Sequence, residues 1–149
     1  MAGNNEISIS LSPIGYQFPD MKVGDWHDLN WLRIAGKVEA PDGSWSFNDP
    51  CMLTTEAARL GEWLREAADG KVQPTAPNAT GEIYPSCDFT EPNVAFGVEV
   101  REAGDVILRV HFSLESAPPW SGDEQRVVSH QVFVRCWLSE ESLRRSADE

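Results

Sequence analysis

Asn93-Val94-Ala95-Phe96-Gly97-Val98-Glu99-Val100-Arg101-Glu102-Ala103-Gly104-Asp105-Val106-Ile107-Leu108-Arg109-Val110-His111-Phe112-Ser113-Leu114-Glu115 holds two alternating runs around a single break. Val94, Phe96, Val98 and Val100 recur with period two. Val106, Leu108, Val110, Phe112 and Leu114 do the same, and such alternation marks half-buried strands. Ala103-Gly104-Asp105 is the turn. As a three-residue loop it predicts Val98 opposite Val110, Val100 opposite Leu108 and Phe96 opposite Phe112, with every large apolar residue on one face. That register also sets Glu99 opposite Arg109 on the outer face, an opposite-charge pair. A two-residue turn would oppose Val98 to Arg109.

Working outward, Val127 to Leu138 carries apolar or aromatic side chains on both faces, which predicts a central strand. Toward the N-terminus, Ile7 to Leu11 alternates and is closed by Pro13 and Gly15, while Tyr16 to Asp28 reads as a packed loop. Leu29 to Ala40 alternates again, with Leu32, Ile34, Gly36 and Val38 on one face. Ala40-Pro41-Asp42-Gly43 makes a tight turn into Ser44 to Asn48, which carries Trp45 and Phe47 and is ended by Pro50. The pattern leaves the register of this hairpin open.

Thr54 or Thr55 is the expected N-cap of an amphipathic helix that buries Ala57, Leu60, Trp63, Leu64, Ala67 and Ala68 and stops at Gly70. Its other side carries Glu56, Arg59, Glu62, Arg65 and Glu66. Lys71 to Gly81 has no apolar period and reads as a flexible connection. Glu82 to Phe89, interrupted by Pro85, reads as an edge strand. Ser139 caps a short C-terminal helix with acids first and Arg144 and Arg145 last, an order that suits the helix dipole. The sum is an α+β fold: about seven antiparallel strands, curled or sandwich-like, one amphipathic helix after strand three, and a short C-terminal helix.

The length of 149 residues is enough for one self-sufficient core, so residues 1–149 are expected to form a single domain. Twelve basic against twenty-four acidic side chains give a net charge of −12. That field repels phosphate backbones, which argues against nucleic acid, and it speeds encounter with a basic protein. Apolar runs are too short to span a bilayer and Met1 to Glu6 does not resemble a signal peptide, so a cytoplasmic location is expected. Cys51, Cys87 and Cys136 are widely spaced and read as buried thiols.

No nucleophile elbow, phosphate-binding glycine loop or metalloprotease helix motif occurs, no cofactor is implied, and the reading leans away from an enzyme. Asp25-x-His27-Asp28 resembles a ligand cluster, but a loop dense in such residues is ordinarily solvated, and no metal is expected. By the register above, Arg109, His111 and Glu115 share an outer face, Arg33 and Arg135 are on strands that could neighbour it, and Trp120 follows a rigid proline pair. Arg33, Arg109, His111, Glu115, Trp120 and Arg135 are therefore the candidate binding residues, either for a partner or for a small anionic ligand if the sheet curls into a pocket. The plainer reading, an ordinary second sheet face with ion pairs, stands beside it and weighs more. Trp120 has the same two readings, a presented aromatic or a lid folded back on the core.

Asn30-Trp31-Leu32-Arg33-Ile34, Pro41-Asp42-Gly43-Ser44-Trp45-Ser46-Phe47, Phe89-Thr90-Glu91-Pro92-Asn93 and His111-Phe112-Ser113-Leu114-Glu115-Ser116 together resemble a family of small, mostly uncharacterised actinobacterial proteins, some of them WapI-type immunity proteins. The resemblance runs from about Asn30 to Leu138 and rests on turn and strand signatures. It implies a shared fold and a cytosolic protein that binds and neutralises a cognate, nuclease-like toxin.

Overall fold

The computed structural model describes residues 7–18, 20, 23–24, 29–121 and 132–148. The loop expected at 16–28 falls partly outside these residues, as do Asp25, His27, Asp28, His130 and the start of the last strand from Val127. Among the described residues six strands form two antiparallel sheets. The first has β1 (Ser8–Tyr16), β2 (Trp31–Ala40) and β3 (Gly43–Leu53) in that order. The second has β4 (Val94–Glu102), β5 (Asp105–Phe112) and β6 (Phe133–Ser139), with β5 in the middle. Helix α1 (Thr54–Ala68) follows β3, a single 3-10 turn (Leu114–Ser116) follows β5, and helix α2 (Glu140–Asp148) follows β6. The fold is α+β and antiparallel, as the alternation predicts.

Residues 82–89 do not form the edge strand expected of them. Pro85 interrupts residues 82–89, and only Cys87 bridges to Phe96 at the β4 edge. Two other prolines do less than expected. Pro13 and Pro50 both lie inside strands, because β1 and β3 are the outer strands of their sheet and each carries an irregularity there, so a missing N–H breaks little of the ladder. The last strand is at one side of its sheet rather than central, and it is covered on one face only: Cys136 and Leu138 are buried while Arg135 and Trp137 stay exposed.

The β4–β5 hairpin departs from its expected register in an informative way. Ala103 and Gly104, with φ of 46° and 87°, form a two-residue turn in which Glu102 pairs Asp105. Such a turn matches strand twist better than a longer loop. Left uncorrected it would oppose Val98 to Arg109, but Glu99 is inserted as a bulge and Val98 pairs Leu108 instead. Phe96 pairs Val110 and Val94 pairs Phe112. The bulge keeps the apolar set inside up to Val98 and reverses parity beyond it. Val100 turns outward beside Ile107, and Arg101 takes the inward place beside Val106. Strand β5 ends at Phe112 rather than Leu114, which adopts φ of 56° in the 3-10 turn.

The first hairpin closes through Pro41 and Asp42, with Ala40 opposite Gly43, and this fixes Val38 against Trp45 and Gly36 against Phe47. Gly36 is where the Phe47 ring lies: a β-carbon there would sit 2.2 Å from Phe47 Cζ. The two sheets present their apolar faces to one core. Trp45 and Phe47 of β3 meet Phe112 of β5 at centroid distances of 5.3 and 6.1 Å, and Trp63 of α1 meets Phe96 at 6.1 Å.

Helix α1 begins one residue earlier than a Thr54 cap and two earlier than a Thr55 cap would start it, with Leu53 as its N-cap. The reason is Glu56, read as solvent-facing yet buried. One of its carboxylate oxygens accepts the Leu53 N–H at 3.0 Å, and the other accepts from the Thr90 N–H at 2.7 Å and the Thr90 hydroxyl at 3.1 Å. At the other end Arg101 donates to the Ala67 and Ala68 carbonyls at 2.7 and 2.8 Å, and also pairs with Glu140 of α2. Ser139 caps α2 as predicted, its hydroxyl accepting the Ser142 N–H at 3.1 Å.

Candidate functional site

The outer face of the second sheet is built by β5 and β6, which set Arg109 opposite Arg135 and His111 opposite Phe133. Glu99 reaches both arginines from the bulge, 3.5 Å from Arg109 Nε and 2.8 Å from Arg135 Nε. The charge pair read from sequence thus exists, made by the extra residue rather than by direct opposition. The Phe133 ring lies 5.6 Å from the Arg109 guanidinium, 5.9 Å from that of Arg135 and 5.3 Å from the His111 ring.

This face is not an open concavity. Residues from Lys71 onward pass over the β4 side: the Thr75 N–H donates to Val98 O at 2.8 Å, and Arg109 Nη1 donates to the Thr75 carbonyl at 3.0 Å and hydroxyl at 3.1 Å. Arg109 is left 4% exposed and His111 fully buried, so the connection read as flexible is held down by a buried cation. Arg135 remains exposed.

The other three candidates lie elsewhere. Arg33 is on β2 in the first sheet, donating to Asn48 Oδ1 at 3.3 Å. Glu115 sits in the 3-10 turn and accepts from Asn93 Nδ2 at 3.1 Å, while the same amide reaches Asp49 Oδ2 at 3.3 Å. Burial and the Glu115 carboxylate raise the Asp49 pKa against the opposing effects of Arg33 and Asn93, so Arg33, Asp49 and Glu115 form a second charged group around Asn93. Trp120 packs edge-on against Trp45 at 5.5 Å, over Gly43, whose missing β-carbon leaves room for it, and keeps half its surface in solvent. One side of the indole thus folds back on the core and the other is open to solvent. Asn93 and Asp49 escaped the sequence reading because their juxtaposition joins the two sheets, which no local pattern encodes.

Clefts open at other places. Two, of about 200 and 190 Å³, lie side by side between β1 and the helices and share Leu11, Pro13, Leu60, Leu64 and Ser146. A third, of about 250 Å³, lies between α1 and residues 86–88 and carries Arg59, Glu62, Glu66 and Asp88. None of the three is lined by Arg109, His111 or Arg135. Among the described residues no group of three or more His, Cys, Asp or Glu is placed to hold a metal ion, and no helix is long and apolar enough to cross a membrane.

Against known families, the model of the WapI-like immunity proteins matches residues 1–149. The chain belongs to this family. No curated protein and no solved structure matches it. The WapI-like match thus extends the resemblance read from Asn30 to Leu138 over residues 1–149.

Proposed function

We propose that the 149-residue chain works as one cytoplasmic domain that binds a cognate toxin and neutralises it by occupancy, with no chemistry of its own. The observation that carries this reading is membership of the WapI-like immunity protein family along residues 1–149. The net charge of −12 supports it further, because a nuclease-like toxin presents a basic surface to its substrate and an acidic protein is complementary to that surface. Of the residues expected from sequence to meet a partner, Glu115, Trp120 and Arg135 are exposed and available to it. The alternative, a small anion held by Arg33, Arg109, His111 and Arg135, is weakened by the burial of Arg109 and its engagement with Glu99 and Thr75.

Coexpression with a toxin domain found encoded beside this chain tests the proposal. Growth is expected to be restored and the two proteins to copurify. Continued killing, with no complex on size exclusion, would overturn it.

A further inference from the structure

The bulge at Glu99 has a second effect, at the hairpin end of the outer face. By turning Val100 outward it builds an apolar floor of Val100, Ile107 and Trp137, with Val100 37% and Trp137 41% exposed. Glu102 and Asp105 stand at one side of this shallow dimple. They are direct cross-strand partners, so two carboxylates of like charge face each other, an arrangement that costs stability. Neither has an ion-pair partner among the described residues, and the arginines nearest in sequence and register are committed: Arg101 to Glu140, and Arg109 and Arg135 to Glu99.

An exposed tryptophan beside two uncompensated carboxylates has a definite complement. A lysine or arginine lays its aliphatic stem along the indole and places its charged head between the acids, combining apolar burial, a cation–π contact and relief of the repulsion. The space enclosed, about 10 Å³, is far too small for a free ligand, so the cation must arrive on a surface that covers the dimple from outside. A second copy of this chain is a poor occupant, because self-docking would bring four carboxylates together. We infer that the Trp137 dimple is the point where this protein receives a basic side chain on the toxin's surface; the inference rests on the immunity reading above. Tryptophan anchors surrounded by an excluding rim are the usual centres of binding energy at such interfaces.

The test is calorimetric titration with a catalytically silenced toxin domain found encoded beside this chain, at low and at raised salt. Trp137→Ala is expected to weaken binding by about 30-fold or more, a typical loss for a central aromatic anchor. Glu102→Gln combined with Asp105→Asn is expected to weaken it by about tenfold at low salt, to flatten the salt dependence, and to leave the melting temperature unchanged or higher. Glu62→Gln with Glu66→Gln on α1 removes the same charge elsewhere and is expected to bind as the unaltered protein does. Unaltered binding by folded Glu102→Gln/Asp105→Asn and Trp137→Ala proteins would overturn the dimple while leaving the immunity reading standing. A toxin that neither binds nor is neutralised by the unaltered chain would remove that reading and the inference with it. A dimer dissolved by Trp137→Ala would assign the surface to a second copy and overturn the inference.

Discussion

Gly36 marks how closely the core is filled. Its partner across the ladder is Phe47, whose ring occupies the space a side chain would take, and the ring is held in turn by Phe112. Gly36→Ala is expected to lower stability by about 1–3 kcal/mol through overpacking, read as a reduced urea midpoint with an unchanged slope. The three thiols report on the same core. Burial, reinforced by Asp49, Glu115 and Glu91, pushes Cys51 up to about 12, and burial pushes Cys87 and Cys136 up to about 11 each. A thiol whose folded pKa is raised stays protonated where the unfolded chain has ionised. The thiols' contribution to stability is therefore intact below about pH 9 and declines between about 9 and 11–12, at the start of which the unfolded thiols titrate. Urea titrations across that range are expected to show the decline, and Cys136→Ala to reduce its steepness.

At the level of elements, α2 is the case where local signals and packing divide the work. Ser139, the acidic first turn and the terminal arginines specify a helix, but nine residues do not hold one alone. Leu143 is fully buried, and Arg144–Asp69 and Arg65–Asp148, both at 2.7 Å, tie α2 to α1. These ion pairs are largely exposed, and exposed pairs contribute little. Leu143→Ala is thus expected to cost about 2–5 kcal/mol, as for other buried leucines. Arg144→Ala should cost under about 1 kcal/mol and lose its effect in high salt. Thermal melts of the two variants at low and high salt check the order; equal losses would place the anchoring in the ion pairs.

For the whole molecule, the surplus of acid governs encounter more than fold. On the proposed function, association with a basic toxin is expected to be steered, with an on-rate that falls by on the order of tenfold between low and high salt while the off-rate changes less, measurable by stopped-flow mixing. An on-rate indifferent to salt would remove charge from the account of recognition.

The sequence by itself determined the antiparallel α+β class, the tight Pro41-Asp42 turn, the amphipathic face of α1, the Ser139 cap and the family resemblance, because each is written in residues close along the chain. It also placed Arg109 and His111 on one outer face, since period two carries alternate residues of a strand to the same side, and left Arg33 and Arg135 on strands that could neighbour it; pairing with β6 brings Arg135 there. Only the tertiary structure decided the bulge at Glu99, the outward turn of Val100, the burial of Arg109 beneath Thr75, and the separation of Arg33, Glu115 and Trp120 from the rest. The physical reason is the same in each instance. Each depends on contacts between residues distant along the chain, and the arrangement adopted is the one that lets both sheets bury their apolar faces against a common core.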